Sequence, residues 1–332
     1  MKASADLAVL LEGFFTQRLL AQRRASPHTI ASYRDTFRLL LEFIQQRLGR
    51  PPSQLALADL SMPVVVEFLD QLEKHRHNSA RSRNLRLAAI RSFFRYAALE
   101  APEHSALIQR MLAIPRKRHT RRLIGFLNRA EIQALLATVD RTTWLGQRDY
   151  ALLLTAIQTG LRLSELTALR RQDVVLGVGA HVHCVGKGRK ERCTPLVKST
   201  AAILANWLKH HPTEPTAFVF PSLRGGRLSA DAMQRLVRKH TLAAGKTCAS
   251  LRQKRVTPHV LRHTTAMELL QAGVDRSLIA LILGHEGVET TQVYLDADLP
   301  LKDQILAQAQ PVAGKLARYR PSDQLLQFLR NL

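Results

Sequence analysis

The chain has few cysteines and no long apolar run. Among its 332 residues only Cys184, Cys193 and Cys248 are cysteines, and they form no CxxC pair. This scarcity argues against a disulfide framework or zinc ligands and indicates free thiols in a reducing cytoplasm. No apolar run approaches the roughly 18 residues that a membrane-spanning helix needs. Asp6 and Glu12 interrupt the N-terminal stretch where a signal peptide would need an uninterrupted apolar core, so we expect a cytoplasmic location.

Acidic residues are also scarce. The chain has 26 Asp and Glu against 49 Lys and Arg, which gives a formal net charge of +23. So many positive charges repel one another unless a polyanion binds to the surface. Nucleic acid is the leading candidate, because a protein that neutralises its phosphates releases counterions. An acidic membrane surface is the competing interpretation. The 46% of hydrophobic residues is enough for ordinary cores, and the length favours about two domains.

Residues 1–114 are predicted to form a helical domain. Ser26 occupies a cap position, Pro27 follows it, and apolar residues recur at helical spacing until Gly49. A short helix is expected around 63–73. We expect this domain to bind DNA, because its stretch 74–99 is basic.

The stretch 74–99 contains no acidic residue at all. Leu87, Ile90, Phe94 and Ala97 fall on one helical face, which predicts that they pack into a core. Such a stretch is either a solvated basic helix or a DNA-facing surface, and 26 residues without one acid favour DNA. The candidate DNA contacts in it are Arg81, Arg83, Arg86, Arg91 and Arg95.

Residues 115–126 are predicted to link two domains. The run PRKRHTRR at 115–122 has five basic residues in eight, which suits a packed core poorly. It is either a plain flexible hinge or a segment that crosses phosphates and becomes ordered on DNA. Its candidate DNA contacts are Arg116, Lys117, Arg118, Arg121 and Arg122.

A second domain is predicted over residues 127–300. It combines helices with a hairpin-containing strand region, and no alternating strand–helix pattern that would predict a doubly wound sheet. The fold class is therefore mainly α, with a second domain that is mostly helical and has one small antiparallel β-sheet. The expected helices are 128–138, 147–158, 164–171, 199–209, 230–243, 258–271 and 276–283, and the expected strands are 174–176, 181–185 and 191–196.

The motif TPHVLRH at 257–263 begins one of these helices. His259 and Arg262 share a face at its N-terminal end, where free N–H groups and the helix dipole suit a phosphate. His259 and His263 also have a spacing that occurs in metal sites. However, Val260 stands where a zinc protease has its glutamate, and Arg262 would bring a cation beside the metal, so we predict no metal.

Three further motifs carry polar residues of types that can bind a phosphate group or react with it. TGLRLSEL at 159–166 supplies Arg162, with Glu165 close enough to orient it. VGKGRKERCTPL at 185–196 places Lys187 between two glycines at a hairpin tip, followed by Arg189 and Lys190 as candidate DNA contacts. It lacks the GxxxxGK[ST] pattern of a nucleotide-binding loop. GHEGVETTQVY at 284–294 adds His285 and Tyr294.

Each motif alone is weak, but their order resembles the tyrosine recombinases, the phage-integrase family that includes the Xer proteins. The resemblance covers nearly the whole chain and departs from the family at none of the six active-site positions. It implies a SAM-like helical N-terminal DNA-binding domain, a basic linker, a catalytic domain and no cofactor. The six positions are Arg162, Lys187, His259, Arg262, His285 and Tyr294.

The resemblance implies that Tyr294 is the nucleophile. Its hydroxyl would attack a DNA phosphodiester, leaving a 3′-phosphotyrosyl link and a free 5′ hydroxyl. A free tyrosine, with a pKa of about 10, needs help for this step, and the transition state gathers charge on phosphate oxygens. The roles implied for the other residues are a phosphate clamp for Arg162 and Arg262, a general acid for Lys187, an acid/base partner for His259, a hydrogen-bond donor for His285 and an orienting carboxylate for Glu165.

We therefore expect a site-specific recombinase on double-stranded DNA sites. It would act through a four-way junction as a homotetramer, or as a hetero-tetramer with a related recombinase, and without a membrane partner. The segment after Tyr294 favours a mobile-element enzyme over a chromosome-dimer-resolving Xer-type recombinase. A type IB topoisomerase-like enzyme and a catalytically idle DNA-binding protein stay open as alternatives.

The C-terminal tail, residues 301–332, ends in a segment with helical periodicity. Leu325, Phe328, Leu329 and Leu332 fall on one face, and a helix this short needs a partner surface. It docks either on its own catalytic domain or, as the resemblance implies, on the next protomer.

Overall fold

The computed structural model describes residues 6–120, 124–186, 190–210 and 214–284, in two compact units, Met1–Arg121 and Arg122–Leu332. Both units are mainly helical, and the second contains a small antiparallel sheet, so the predicted fold class is confirmed. No helix in the described ranges is long and apolar enough to cross a membrane. The expected site residues outside these ranges are Arg121, Arg122, Lys187, Arg189, His285 and Tyr294, and the C-terminal tail also lies outside them.

The described part of unit 1 contains five α-helices. Ser26 caps the second by accepting a hydrogen bond from the Thr29 N–H, and Gly49 ends it in the left-handed conformation, as the sequence predicts. The helices are α1 (Leu7–Gly13), continued by a π-helix (Phe14–Gln22), α2 (Pro27–Leu48), α3 (Met62–Arg76), α4 (Ala80–Glu100) and α5 (Ser105–Ala113), with 3₁₀ turns at Pro52–Gln54, Leu57–Asp59 and Pro102–His104.

The core of unit 1 forms where α1, α2 and α4 meet. Phe14 is fully buried, and its ring contacts those of Phe37 and Phe93 at centroid distances of 6.2 and 5.6 Å. The four residues of α4 that the sequence assigns to a core, Leu87, Ile90, Phe94 and Ala97, are all buried. The interior face of α4 is therefore fixed by apolar packing.

The acid-free stretch 74–99 belongs to two helices. His77 adopts a positive φ of 51°, which ends α3, and Ser79 then caps α4 by accepting from the Ser82 N–H. The sequence analysis did not predict this break, because positive φ at a histidine has no strong local signal.

Unit 2 has seven helices and three strands among its described residues. The predicted helix 164–171 ends earlier, because Leu169 leaves the helical conformation. The helices are α6 (Arg129–Ala137), α7 (Trp144–Thr159), α8 (Leu163–Ala168), α9 (Lys198–Lys209), α10 (Ala230–Ala244), α11 (Pro258–Gln271) and α12 (Arg276–Leu283), with 3₁₀ turns at Arg171–Asp173 and Ala249–Gln253; the strands are β1 (Val174–Val175), β2 (His181–Val185) and β3 (Glu191–Pro195).

The strands pair antiparallel in the order β1-β2-β3. In the β2–β3 hairpin Cys184 lies opposite Arg192 and Val185 opposite Glu191, and the Gly186 N–H donates to the Lys190 carbonyl at 2.7 Å. The hairpin therefore has a fixed register as far as Gly186 on one strand and Lys190 on the other.

Two apolar clusters hold unit 2 together. The larger is centred on α7, whose Leu152 is fully buried, as is Val182 of β2. The smaller one packs Met267 of α11 against Ile279 and Leu283 of α12. The C-terminal end of α12 is thus anchored on its apolar side, and its backbone carbonyls end beside α8 and β3.

Candidate active site

Three arginines from different elements meet at the C-terminal end of α12. The carbonyls of Ile282, Leu283 and Gly284 are consecutive, and each accepts a hydrogen bond from a different guanidinium group. Carbonyls at a helix C-terminus lack partners within the helix and carry partial negative charge, so they attract cations. The donors are Arg192 Nε at 3.2 Å, Arg262 Nη2 at 2.7 Å and Arg162 Nη2.

Helix α12 ends at this point for local reasons. Asp275 caps its start by accepting from the Ser277 N–H at 2.8 Å. Gly284 follows its last residue with φ of +66°, and its N–H donates back to the Leu281 carbonyl. This left-handed ending exposes the last carbonyls to the arginines, one residue before position 285.

Arg262 is buried on α11 and joins two helix ends. Thr257 caps α11 and Pro258 follows it, as predicted, which places Arg262 in the second turn. Its Nη1 donates to the Gly160 carbonyl at 2.6 Å, just after α7, in addition to the contact with Leu283. The guanidinium therefore ties the end of α7 to the end of α12.

Arg162 and Glu165 form a capping arrangement at the start of α8. Glu165 accepts the Arg162 backbone N–H on Oε2 and the Arg162 Nη1 on Oε1, each at 2.8 Å. The carboxylate orients the Arg162 side chain, which is the relation expected from the sequence spacing.

Arg192 pairs with the same carboxylate through two parallel hydrogen bonds. Its Nη1 lies 3.0 Å from Glu165 Oε1 and its Nη2 lies 2.7 Å from Oε2. Burial by itself raises the pKa of Glu165, but the hydrogen bonds from Arg192 and Arg162 outweigh it and lower the pKa to about 2. The Glu165 carboxylate thus stays ionised near neutral pH and is suited to orienting cations.

The cluster carries excess positive charge that reaches solvent at one residue. Among the described residues of the cluster there are three guanidinium groups and one carboxylate, which pairs with Arg162 and Arg192, so positive charge is in excess there. The Arg162 side chain is 24% exposed, compared with 11% for Arg192 and 2% for Glu165. Arg162 is therefore placed to meet an anion such as a phosphate.

The two histidines of α11 differ in environment. His259 is exposed in the first turn, whereas His263 is half-buried. Burial, and then the neighbouring His259 and Arg262, lower the pKa of His263 to about 4, so its ring is neutral at pH 7. Within the described ranges, no group of three or more His, Cys, Asp or Glu is arranged to hold a metal ion.

Arg192 is a site residue that the sequence does not single out. In the run GRKER it is one of several basic residues, of which Arg189 and Lys190 are the predicted DNA contacts. The alternation of inward and outward side chains along a strand could have indicated that Arg192 points inward. Arg192 lies opposite Cys184, whose side chain is buried. Lys190 lies exposed at the start of the returning strand.

Two arginines of α4, expected from the sequence on the DNA-facing surface, are engaged by other groups of unit 1, one of them buried and the other half-buried. Arg83 is buried, with its Nε 3.7 Å from Glu73 Oε2. Arg91 donates to the Leu112 carbonyl at 2.8 Å and to the Ile114 carbonyl, at the end of α5. Arg83 and Arg91 lie on the same side of α4 as the buried Leu87 and Ile90, which is why neither arginine is fully exposed.

The other α4 candidates differ in exposure. Arg81 and Arg95 are exposed, and Arg86 is half-buried and donates to Thr36 Oγ1 at 3.0 Å. Two exposed apolar residues, Leu85 and Leu99, lie on the same face as Arg81 and Arg95. This face combines two cations with apolar side chains and has no acid among residues 80–99.

The first residues of the expected linker are attached to unit 1. The Asn84 side chain donates to the Lys117 carbonyl at 2.8 Å and accepts from its N–H at 3.0 Å. Lys117 Nζ lies against Glu73 and, at 3.4 Å, Asp70. Arg116 and Arg118 are exposed on either side. The hinge expected to begin at residue 115 is therefore held to α3 and α4 as far as residue 117.

Comparison with known families matches both halves of the chain. The model of the phage integrase family matches residues 125–299, and that of the phage integrase N-terminal SAM-like domain matches residues 13–101. The chain belongs to the phage integrase family, the tyrosine recombinases, whose members are site-specific DNA recombinases. The resemblance drawn from the motif order is thereby confirmed.

Individual relatives agree with this assignment. A protein of Sinorhizobium fredii, named as an integrase/recombinase, y4rC, is 59% identical over the full length of both chains. The tyrosine recombinase XerC of Oceanobacillus iheyensis is 32% identical over 84% of this chain and 89% of its own. The crystal structure of XerH site-specific recombinase bound to a palindromic difH substrate has a TM-score of 0.69, covering 86% of this chain and 81% of that one; at 22% identity it shows the fold.

Proposed function

We propose that this chain cuts and rejoins double-stranded DNA at specific sites, with Tyr294 as the nucleophile. The observation that carries the proposal is the arginine cluster at the end of α12. It joins the residues expected to clamp a phosphate, and it lies one residue before His285 in the sequence. The expected domains are 1–114 for DNA binding, 115–126 as linker, 127–300 for catalysis and 301–332 as tail.

In the proposed reaction the tyrosine oxygen forms a bond to phosphorus and the bond to the 5′ oxygen breaks. Arg162, oriented by Glu165, and Arg262 clamp the phosphate oxygens on which negative charge develops, and Arg262 also holds the Gly160 carbonyl beside Arg162. Lys187 gives a proton to the leaving 5′ oxygen. The phosphotyrosyl ester conserves the bond energy, so rejoining needs no nucleotide or metal.

His259 and His285 complete the proposed site. His259 lies exposed at the N-terminal end of α11, where it can exchange a proton with the tyrosine hydroxyl. His285 would donate a hydrogen bond to a phosphate oxygen. Both roles come from the resemblance; His259 lies three residues before Arg262 on α11, and His285 follows Gly284 in the sequence, directly after α12.

The exposed face of α4 supports DNA binding by unit 1. Arg81 and Arg95 present charge to phosphates, and Leu85 between them offers apolar contact to bases or sugars. Arg116 and Arg118 extend the cationic surface. Arg86, Lys117, Arg121, Arg122, Arg189 and Lys190 remain candidate contacts, of which Lys117 would have to leave its two carboxylates.

The proposed assembly is a homotetramer, or a hetero-tetramer with a related recombinase, on two DNA sites. We assign the enzyme to a mobile element, because the segment after Tyr294 resembles that of element-borne members of the family.

The similarity to XerC favours chromosome-dimer resolution as the second candidate. Mapping the DNA protected from nuclease separates the two, because one predicts element ends and the other a single chromosomal site. The free thiols support a cytoplasmic location.

The test is covalent trapping on a nicked duplex that contains the site the protein selects from a random-sequence library. Wild type should form a covalent adduct, also in the presence of a chelator. Tyr294→Phe should bind the duplex and form none, because only the hydroxyl is lost; Tyr319→Phe is the matched control and should react normally. An adduct with Tyr294→Phe would place the nucleophile elsewhere, and inhibition by the chelator would reopen metal catalysis.

A further inference from the structure

We propose that Arg192 is a positioning residue of the active site. Its guanidinium fixes the base of the β2–β3 hairpin and the end of α12 relative to Arg162, and these two segments are the ones that lead in the sequence to Lys187 and His285. The inference rests on the proposed function, because those two residues matter only if the chain performs phosphoryl transfer.

The first observation is the geometry of the ion pair. Arg192 holds Glu165 through two parallel hydrogen bonds, and the same carboxylate holds the Arg162 side chain and backbone. A planar fork of this kind fixes direction as well as distance, which a lysine ammonium does not. The position of Arg192 therefore determines where the Arg162 guanidinium points.

The second observation is the close approach of two glycines. A Cβ added at Gly186 would lie 3.1 Å from Arg192 Nη1 and 3.1 Å from Glu165 Oε1. A Cβ added at Gly284 would lie 2.8 Å from the same Nη1. The backbones of both glycines thus pass directly against the guanidinium. Gly186 immediately precedes Lys187 in the sequence, and Gly284 immediately precedes His285.

The third observation is that the Arg192 guanidinium is already bonded to protein oxygens, which indicates a positioning role and not phosphate binding. The Arg192 side chain is largely buried, and its Nε, Nη1 and Nη2 all donate to protein oxygens: the Ile282 carbonyl and the Glu165 carboxylate. The start of α8, the base of the β2–β3 hairpin and the end of α12 therefore meet on the Arg192 side chain, which is only 11% exposed. Arg162 belongs to the first segment, and Lys187 and His285 follow the other two in the sequence. Its loss should slow the chemical step and leave DNA affinity unchanged.

The matched control is Arg148 of α7. It is also buried, pairs with Asp149 through Nε at 2.9 Å and Nη2 at 2.6 Å, and donates from Nη1 to the Pro221 carbonyl. Arg192 and Arg148 therefore share charge, burial and a paired carboxylate, and differ in that Arg148 does not contact α8, α12 or the hairpin in these bonds.

The experiment compares Arg192→Lys and Arg148→Lys on two versions of the nicked duplex. One has the normal 5′ bridging oxygen, and the other has sulfur there, which leaves without a proton. Circular dichroism and DNA affinity are measured for each variant. We expect Arg192→Lys to cleave the oxygen duplex about 10–100-fold more slowly, the scale of a small misplacement of catalytic groups. The loss should shrink severalfold on the sulfur duplex, and Arg148→Lys should cleave both at the wild-type rate.

The outcomes are distinguishable. No cleavage by wild type on either duplex contradicts the proposed function and the inference with it. Cleavage by Arg192→Lys at the wild-type rate overturns the inference alone. Equal losses on the two duplexes also overturn it, because Arg192 then does not act through Lys187. Equal losses for Arg192→Lys and Arg148→Lys overturn it as well, because the effect is then common to buried, paired arginines. An unfolded Arg192→Lys would assign the residue to stability instead.

Discussion

At the scale of single residues, Glu165 makes the sharpest stability prediction. Glu165→Gln removes the carboxylate that Arg162 and Arg192 share, and leaves the largely buried Arg192 and the partly exposed Arg162 facing a neutral amide. Breaking a buried pair in this way should lower the free energy of unfolding by about 3–5 kcal/mol, measured by urea denaturation at pH 7. The control Glu191→Gln, on the same hairpin but exposed, should change it by less than about 1 kcal/mol. Similar losses for both would contradict the buried cluster.

His263 makes a prediction about pH. Its folded-state pKa of about 4 lies below the ordinary value of 6.5, so between these pH values the unfolded chain binds a proton that the folded chain does not. Stability from this residue is complete above pH 6.5 and is lost as the pH falls toward 4. His263→Gln should therefore lose less stability than wild type between pH 7 and pH 5 in denaturant titrations. A parallel loss in both proteins would exclude His263 as a source.

The sequence predicted those site residues whose chemistry follows from motifs. Arg162, Glu165 and Arg262 stand at recognisable helix starts, so the sequence predicts them as site residues, and the structure brings them close to the end of α12. Arg192 was not, because its importance comes from tertiary contacts with α8 and α12 that no local pattern encodes. The same reason explains Arg83 and Arg91, whose charges are satisfied by a carboxylate and by backbone carbonyls distant in sequence.

At the scale of elements, capping chemistry predicted best. Helices α2, α11 and α12 begin after Ser26, Thr257 and Asp275, each of which accepts a backbone N–H, and their limits follow the sequence analysis closely. The π-helical continuation of α1 and the break at His77 were not predicted. Both depend on packing and backbone conformation rather than on residue types that mark a helix end.

Helix α4 permits a paired test, because Arg91 and Arg95 are four residues apart and differ in surroundings. Arg91 caps the end of α5, whereas Arg95 is exposed. Arg91→Ala should reduce thermal stability, since carbonyls of α5 lose their donor, while Arg95→Ala should leave stability unchanged and weaken DNA binding. If Arg95 contacts one phosphate, the slope of log affinity against log salt should fall by about 1. The reverse pattern would contradict the assignment of the two faces.

At the scale of the whole molecule, the charge of +23 is divided between structural and available cations. Arg83, Arg91, Arg148 and Arg192 are engaged by protein oxygens, so net charge alone overstates the surface that DNA can use. The exposed arginines of α4 and residues 116 and 118 are not engaged in this way and remain the predicted DNA contacts. Composition identified the partner class, and only the packing identifies which cations meet it.

The last prediction concerns the C-terminal segment SDQLLQFLRNL, whose apolar face needs a partner surface. We propose that it docks on the next protomer and links the active sites of the assembly. Truncation after Arg320 should then preserve binding to one site and cleavage of a nicked duplex, and should abolish recombination between two sites.

Docking on its own catalytic domain predicts a different result for the same truncation. The apolar surface that the segment covers would be exposed within one chain, so thermal stability, cleavage and recombination should all decline together. The substitution Leu325→Asp in the full chain is the milder companion variant, because it adds a charge to the apolar face without shortening the chain. A truncated protein that recombines two sites at the wild-type rate would rule out the linking role, because the active sites would then communicate without the segment.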